Sequence, residues 1–191
     1  MNLEQIKKQV AKKYPGLKKA VNEVQYVSGN LGNRFAEYLP ADEPGAPNRP
    51  NPYKGKATLV LNPDKVKTQE EAVNVIAGDL LHHLRYTDKG FQKLIKQYDS
   101  MALADPNIRR RQEARQATIA QSYQDARPLD QFMKVSGNDA VIRAYVMGYE
   151  NFKGSDYFKG SYKPILNKLK NYVKGKPQKK AIGGRVVSYN Y

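Results

Sequence analysis

Apolar residues recur at helical spacing along most of the chain, interrupted by proline and glycine. Leu3, Ile6 and Val10 stand at i, i+3 and i+7 and predict a short basic helix over 2–13, ended by Pro15-Gly16. Leu17, Val21 and Val24 predict a second helical stretch from Leu17 to about Tyr26. Five prolines fall in the thirteen positions from Pro40 to Pro52. Proline lacks the N–H that a helix interior or a central strand requires, so a long loop is expected at about 40–55. Loops of that length are usually functional or tethers.

Ala57-Thr58-Leu59-Val60-Leu61 reads as a strand stopped by Asn62-Pro63. The clearest helix follows. Thr68 with Glu71 three residues on makes a capping box, and Val73, Ile76, Leu80 and Leu84 form one stripe. Gly78 lies inside it, either as a point of close approach or as a tolerated cost of about 1 kcal/mol. Lys89-Gly90 is expected to end this helix. Phe91, Leu94, Ile95 and Tyr98 then continue in helical register. Further helices are expected after Asp105-Pro106, from Asn138 to about Tyr149, and through Ile165, Leu169 and Val173, with a short strand at Val186–Tyr189.

The pattern predicts a mainly α fold with a minor β element. One mostly helical domain is expected over 1–174, followed by a basic tail at 175–191. Apolar residues at 40% and charged residues at 27% of the 191 positions fit a globular chain. No cysteine is present, which excludes disulfides, thiolate metal sites and thiol nucleophiles. No apolar run approaches the ~18 residues of a membrane span, and residues 1–16 lack the apolar stretch of a secretory signal.

Charge changes the picture most. Lys and Arg number 33 against 18 Asp and Glu, a net charge of +15. Such a balance points to a polyanionic neighbour, nucleic acid before an anionic membrane, although a lysine-rich solvated surface gives the same count. Residues 150–191 hold nine lysines and Arg185 against Glu150 and Asp156, a net of +8. Lys168, Lys170, Lys174, Lys176, Lys179, Lys180 and Arg185 are therefore candidate contacts for nucleic acid or an acidic partner. Arg109, Arg110, Arg111 and Arg115 form a second such cluster, two or three of which share a helix face. Fourteen of the nineteen aromatic residues are tyrosine. Tyr149, Tyr157, Tyr162, Tyr172, Tyr189 and Tyr191 interleave with the C-terminal lysines, a pattern suited to base stacking or to a protein interface.

Gly78-Asp79-Leu80-Leu81-His82-His83 is the one stretch that approaches catalytic spacing. A zinc-protease helix needs His at i and i+4 with a Glu beside the first. Here His82 takes the second-ligand position and Asp79 the base position, but Gly78 stands where the first ligand belongs. The strand at 57–61 resembles the edge strand beside such a helix. His82 and His83 are neighbours and point about 100° apart, so they cannot chelate one ion together. Asp79 and His83 share a face. They make either a packing contact or, with His82, a weak metal set. No P-loop, GxGxxG, GxSxG or EF-hand spacing occurs, and no cofactor is expected.

The order of motifs resembles a region of the giant polyvalent or internal virion proteins of short-tailed bacteriophages. The residues carrying it are Arg34 with Tyr38, Gly78-Asp79 with Leu81-His82, and Ser136 ahead of Arg143-Ala144-Tyr145 and Gly148-Tyr149, over roughly residues 30–150. The resemblance implies a virion component packaged with the genome and ejected into the host. This chain departs from that pattern in being small. The expectation is a non-enzymatic virion-associated protein near DNA, portal or tail, located in the virion or the host cytoplasm. Its expected partners are itself, other virion proteins and duplex DNA bound without sequence preference. The alternatives are a small basic effector that inhibits a host nucleic-acid or defence protein, and a degenerate zincin-like hydrolase built on Asp79, His82 and His83.

Overall fold

The computed structural model describes residues 2–41, 53, 56–107, 139–148, 160–176, 178–182 and 185–189. It is mainly helical with a small β component, as the hydrophobic pattern predicts. Two compact units divide the chain: residues 1–92 together with 171–191, and residues 93–170. Most of the proline-rich loop, the helix expected after Asp105-Pro106 beyond residue 107, and Ser136 lie outside the described residues.

The first unit begins with helix α1 (Leu3–Lys13), whose Asn2 side chain caps it by accepting from the Gln5 N–H at 3.2 Å. Ile6 and Val10, one turn apart, are its buried residues. Pro15 opens a 3₁₀ turn (Pro15–Leu17), where its missing N–H costs nothing. Helix α2 (Lys18–Glu23) is shorter than its apolar spacing suggests. Val24 turns extended, and the Gln25 N–H donates to the Ala57 carbonyl at 2.9 Å. Residues 25–28 thus become strand β1 (Gln25–Ser28), because ladder bonds to a neighbouring strand outweigh a weak helical pattern containing Val24, Tyr26 and Val27.

Strands β2 (Ala36–Leu39) and β3 (Thr58–Leu61) complete a three-stranded sheet in the order β1-β3-β2. β1 runs parallel to β3, with Tyr26 opposite Leu59, and β2 runs antiparallel, with Tyr38 opposite the same Leu59. The strand read from 57–61 is therefore central, not an edge. Its unbroken apolar run fits this, since Thr58, Leu59 and Val60 are all buried. Asn62, fully buried at its end, donates its backbone N–H to the Phe35 carbonyl and its side-chain amide to the carbonyls of Gly32 and Arg34. One amide thereby ties the loop before β2 to the end of β3.

Helix α3 (Gln69–Thr87) carries the predicted capping box. Thr68 accepts from the Glu71 N–H at 3.1 Å, and the Glu71 carboxylate accepts from the Thr68 N–H at 2.9 Å. Val73, Ile76, Leu80 and Leu84 are all buried, and the helix packs on β2, α1 and α2. It ends at Thr87, so Lys89-Gly90, expected to stop it, open the next helix instead. Asp88 is extended and accepts the Phe91 N–H at 2.7 Å, so it ends α3 and caps helix α4 (Lys89–Ala104).

The chain returns to this unit at the end of helix α6 (Lys163–Val173). Tyr172 packs on Phe91, ring centroids 5.9 Å apart, and its hydroxyl donates to Asp88 Oδ1 at 2.6 Å. Its carbonyl lies where a Cβ on Gly16 would come within 2.1 Å, so only glycine lets these backbones meet. Residues expected as a tail form an antiparallel pair, β4 (Gln178–Ile182) with β5 (Arg185–Tyr189), which includes the predicted strand.

The second unit takes most of α4, helix α5 (Asp139–Met147), a 3₁₀ turn at Gly160–Tyr162 and most of α6. Leu94, Ile95, Tyr98, Val141, Ile142, Ile165, Leu166 and Leu169 are buried in it. Tyr162 packs on Tyr98 at 5.8 Å and donates to Asp105 Oδ2 at 2.8 Å. Among the described residues no helix is long and apolar enough to cross a membrane.

Candidate functional site

α3 carries Asp79, His82 and His83 on two faces. Asp79 and His83 are buried, at 4% exposure each, and His82 is half-buried. His83 Nε2 lies 3.2 Å from Glu23 Oε2 at the end of α2, and Nδ1 lies 3.0 Å from the Tyr38 hydroxyl on β2. One tautomer satisfies all three groups. Nε2–H donates to the carboxylate, and Nδ1 accepts the tyrosine proton. Both ring nitrogens are thus taken by other elements, and the Asp79–His83 contact weighed from the spacing is not the one His83 makes.

Tyr38 gathers the remaining rings. His82 and Tyr86, one turn apart on α3, lie nearly parallel to it, each at 13°, with centroids 6.3 and 6.4 Å away. The His83 ring meets it edge-on at 5.8 Å. His82 and His83 therefore diverge, as adjacent helical residues must. Among the described residues no group of three or more His, Asp or Glu is placed to hold a metal ion. The arrangement pins α2, β2 and α3 together through one buried imidazole. The zincin-like reading has lost its edge strand, because the strand beside α3 is β2 and the 57–61 strand is central.

The cationic candidates separate into groups. Arg109, Arg110, Arg111 and Arg115 lie outside the described residues, as do the side chains of Lys179, Lys180 and Arg185, whose backbones form β4 and β5. In the second unit Lys168 is exposed, and Lys170 Nζ stands 5.4 Å from the Tyr145 ring centroid. In the first unit Lys174 Nζ stands 4.2 Å from the Tyr14 ring centroid and Lys176 is exposed. Lys13 Nζ approaches the same Tyr14 ring at 5.6 Å, so Lys174 meets a lysine 161 residues earlier. Tyr162 and Tyr172 are not available for base stacking, because both rings pack internally and both hydroxyls serve carboxylates.

Sequence reasoning missed Glu23, Tyr38 in this role, Asn62 and the lysines at 12, 13 and 18. The doublet Lys12-Lys13 was legible as charge, but nothing in the order of residues places it beside Lys174. Compared with family models, curated proteins and solved structures, the chain matches none.

Proposed function

We propose that this chain is a non-enzymatic, bacteriophage virion-associated protein that lies against DNA and neighbouring copies or virion proteins. One observation carries the reading: among the described residues the fold leaves a set of lysines unpaired. Lys8, Lys12, Lys18, Lys89, Lys93, Lys96, Lys163 and Lys176 are exposed on described elements, with no carboxylate within ion-pair distance among the described residues. These eight ammonium groups are thus directed at solvent or at a polyanion. The phage assignment rests on the motif order around Arg34, Tyr38, Asp79 and His82. The buried engagement of His83 favours a structural role for that stretch over a catalytic one.

Two measurements test it. Peptide mass spectrometry of purified particles of the source phage is expected to find the chain in multiple copies. Its absence from particles containing the other structural proteins removes the virion role. Duplex DNA affinity is expected to fall linearly with salt on a double-logarithmic plot. Absent or salt-independent binding removes the DNA contact.

A further inference from the structure

We infer that the corner where α1 and α6 both end is the surface that grips the phosphodiester backbone, with Lys12, Lys13, Lys18, Lys174 and Lys176 as its cations. This rests on the DNA reading above and locates it.

The corner is built by close backbone contact. Gly16 admits the Tyr172 carbonyl, and a Cβ on Gly175 would come within 2.8 Å of the Pro15 side chain. Gly175 also has φ +62°, in the left-handed region that ends the helix. This contact brings the 12–18 segment against the 174–176 segment. Lys174 Nζ reaches the Lys13 carbonyl at 3.4 Å, and both ammonium groups flank the Tyr14 ring. Lys12, Lys13, Lys18 and Lys176, on the two segments this contact joins, are exposed.

A structural reason for lysines here exists, and its magnitude is too small. Two helix C-termini meet at the corner, each equivalent to roughly half a negative charge. Among the described carboxylates nearby, Glu70 lines the same shallow groove as Lys12 and Lys13, Asp88 accepts from the Tyr172 hydroxyl, and Glu23 is paired with Lys19. Among the described residues, Lys12, Lys13, Lys18 and Lys176 outnumber Glu70, Asp88 and the two half-charged helix ends, so positive charge is left beyond what the fold requires. Clustered ammonium groups spread over more than one side chain suit a run of phosphates better than a single carboxylate. No recognition of base sequence follows, since lysine contacts to phosphate carry none.

The test uses the full chain and two charge-matched variants. One is Lys12→Gln/Lys18→Gln/Lys176→Gln, three exposed side chains with no hydrogen bond or ion pair among the described residues. The other is Lys93→Gln/Lys96→Gln/Lys163→Gln in the second unit. Binding to a duplex of mixed sequence is followed by anisotropy across a salt series, with circular dichroism confirming the fold. The corner variant is expected to lose roughly tenfold in affinity at low salt and two to three units of salt slope, about 0.9 per lost contact. The control is expected to change less than about twofold. Equal losses in both variants, or none in the corner variant, overturn the site while leaving DNA binding in place. If the unaltered chain binds no duplex at any salt, the DNA reading itself falls, and the site with it.

Discussion

His83 Nε2 stands 3.2 Å from the Glu23 carboxylate, sixty residues earlier in the chain, and that contact decides what the His-His pair of α3 does. With its other nitrogen on the Tyr38 hydroxyl, the imidazole joins a helix end, an edge strand and the central helix. Removing it leaves a cavity and strips partners from two polar groups. His83→Ala is expected to cost about 2–4 kcal/mol by chemical denaturation. Glu23 is 41% exposed, so Glu23→Gln, which keeps an acceptor, is expected to cost less than about 1 kcal/mol. The reverse ranking would place the energy in the carboxylate contact and not in the buried ring.

The start of α3 depends on Thr68. Thr68→Ala removes the cap and is expected to cost about 0.5–2 kcal/mol. Its partner Glu71 supplies the pH dependence. Backbone N–H groups of Thr68 and then Lys67 hold the Glu71 carboxyl below its ordinary value near 4.5. The contribution is present above that value and lost as pH falls through the lowered one. Between neutral pH and pH 3, Glu71→Gln should flatten the acid side of the stability curve. An unchanged acid limb would mean that the box contributes nothing.

At the alkaline side Tyr26 acts in the other direction. Burial, and secondarily the Glu4 charge, raise its pKa above the ordinary value near 10, while its hydroxyl donates to the Val21 carbonyl at 3.2 Å. The folded state therefore resists ionisation that the unfolded chain accepts. Stability is full below about pH 10 and declines as pH rises beyond it. Tyr26→Phe is expected to lessen that decline, measured as the difference in denaturation midpoint between pH 9 and pH 11. Parallel curves for the two proteins would contradict the assignment.

Asn62 is a single residue on which two loops converge. Asn62→Leu removes from a fully buried side chain the donor to the carbonyls of Gly32 and Arg34, and is expected to cost about 1–3 kcal/mol. Hydrogen exchange should quicken over residues 29–35 before any change in α1. A uniform change across the first unit would assign Asn62 to the core alone.

Ile76 and Leu80 are both fully buried in the centre of α3. Ile76→Ala or Leu80→Ala is expected to cost about 2–5 kcal/mol in the same denaturation assay. A much smaller loss would mean that the core lies elsewhere.

Much of the helical architecture was legible because amphipathic spacing and caps are local. Thr68 with Glu71, the Val73-Ile76-Leu80-Leu84 stripe, and the Phe91-Leu94-Ile95-Tyr98 stripe all appear where the residues place them. The sheet was half legible. The apolar run at 58–61 announces a strand, but Ala36–Leu39 contains one charge, one aromatic and no clean alternation, and Gln25–Ser28 follows a helical pattern. Both become strands because β3 offers ladder bonds on its two sides. The break at Asp88 escaped notice because its carboxylate caps the helix that follows.

The amino-acid order by itself determined most of the described helices, the exclusion of thiol chemistry and the excess of positive charge. Each depends on composition or on neighbours within a turn or two. Only the tertiary structure decided which groups meet: Glu23 with His83, Asn62 with the 32–34 loop, and Lys13 with Lys174. Those pairings are set by how buried faces stack and by where glycine lets backbones touch, and neither is encoded in local spacing. For that reason the His-His pair reads as candidate chemistry in the chain and as a structural junction in the fold, while lysines from opposite ends come together in one corner.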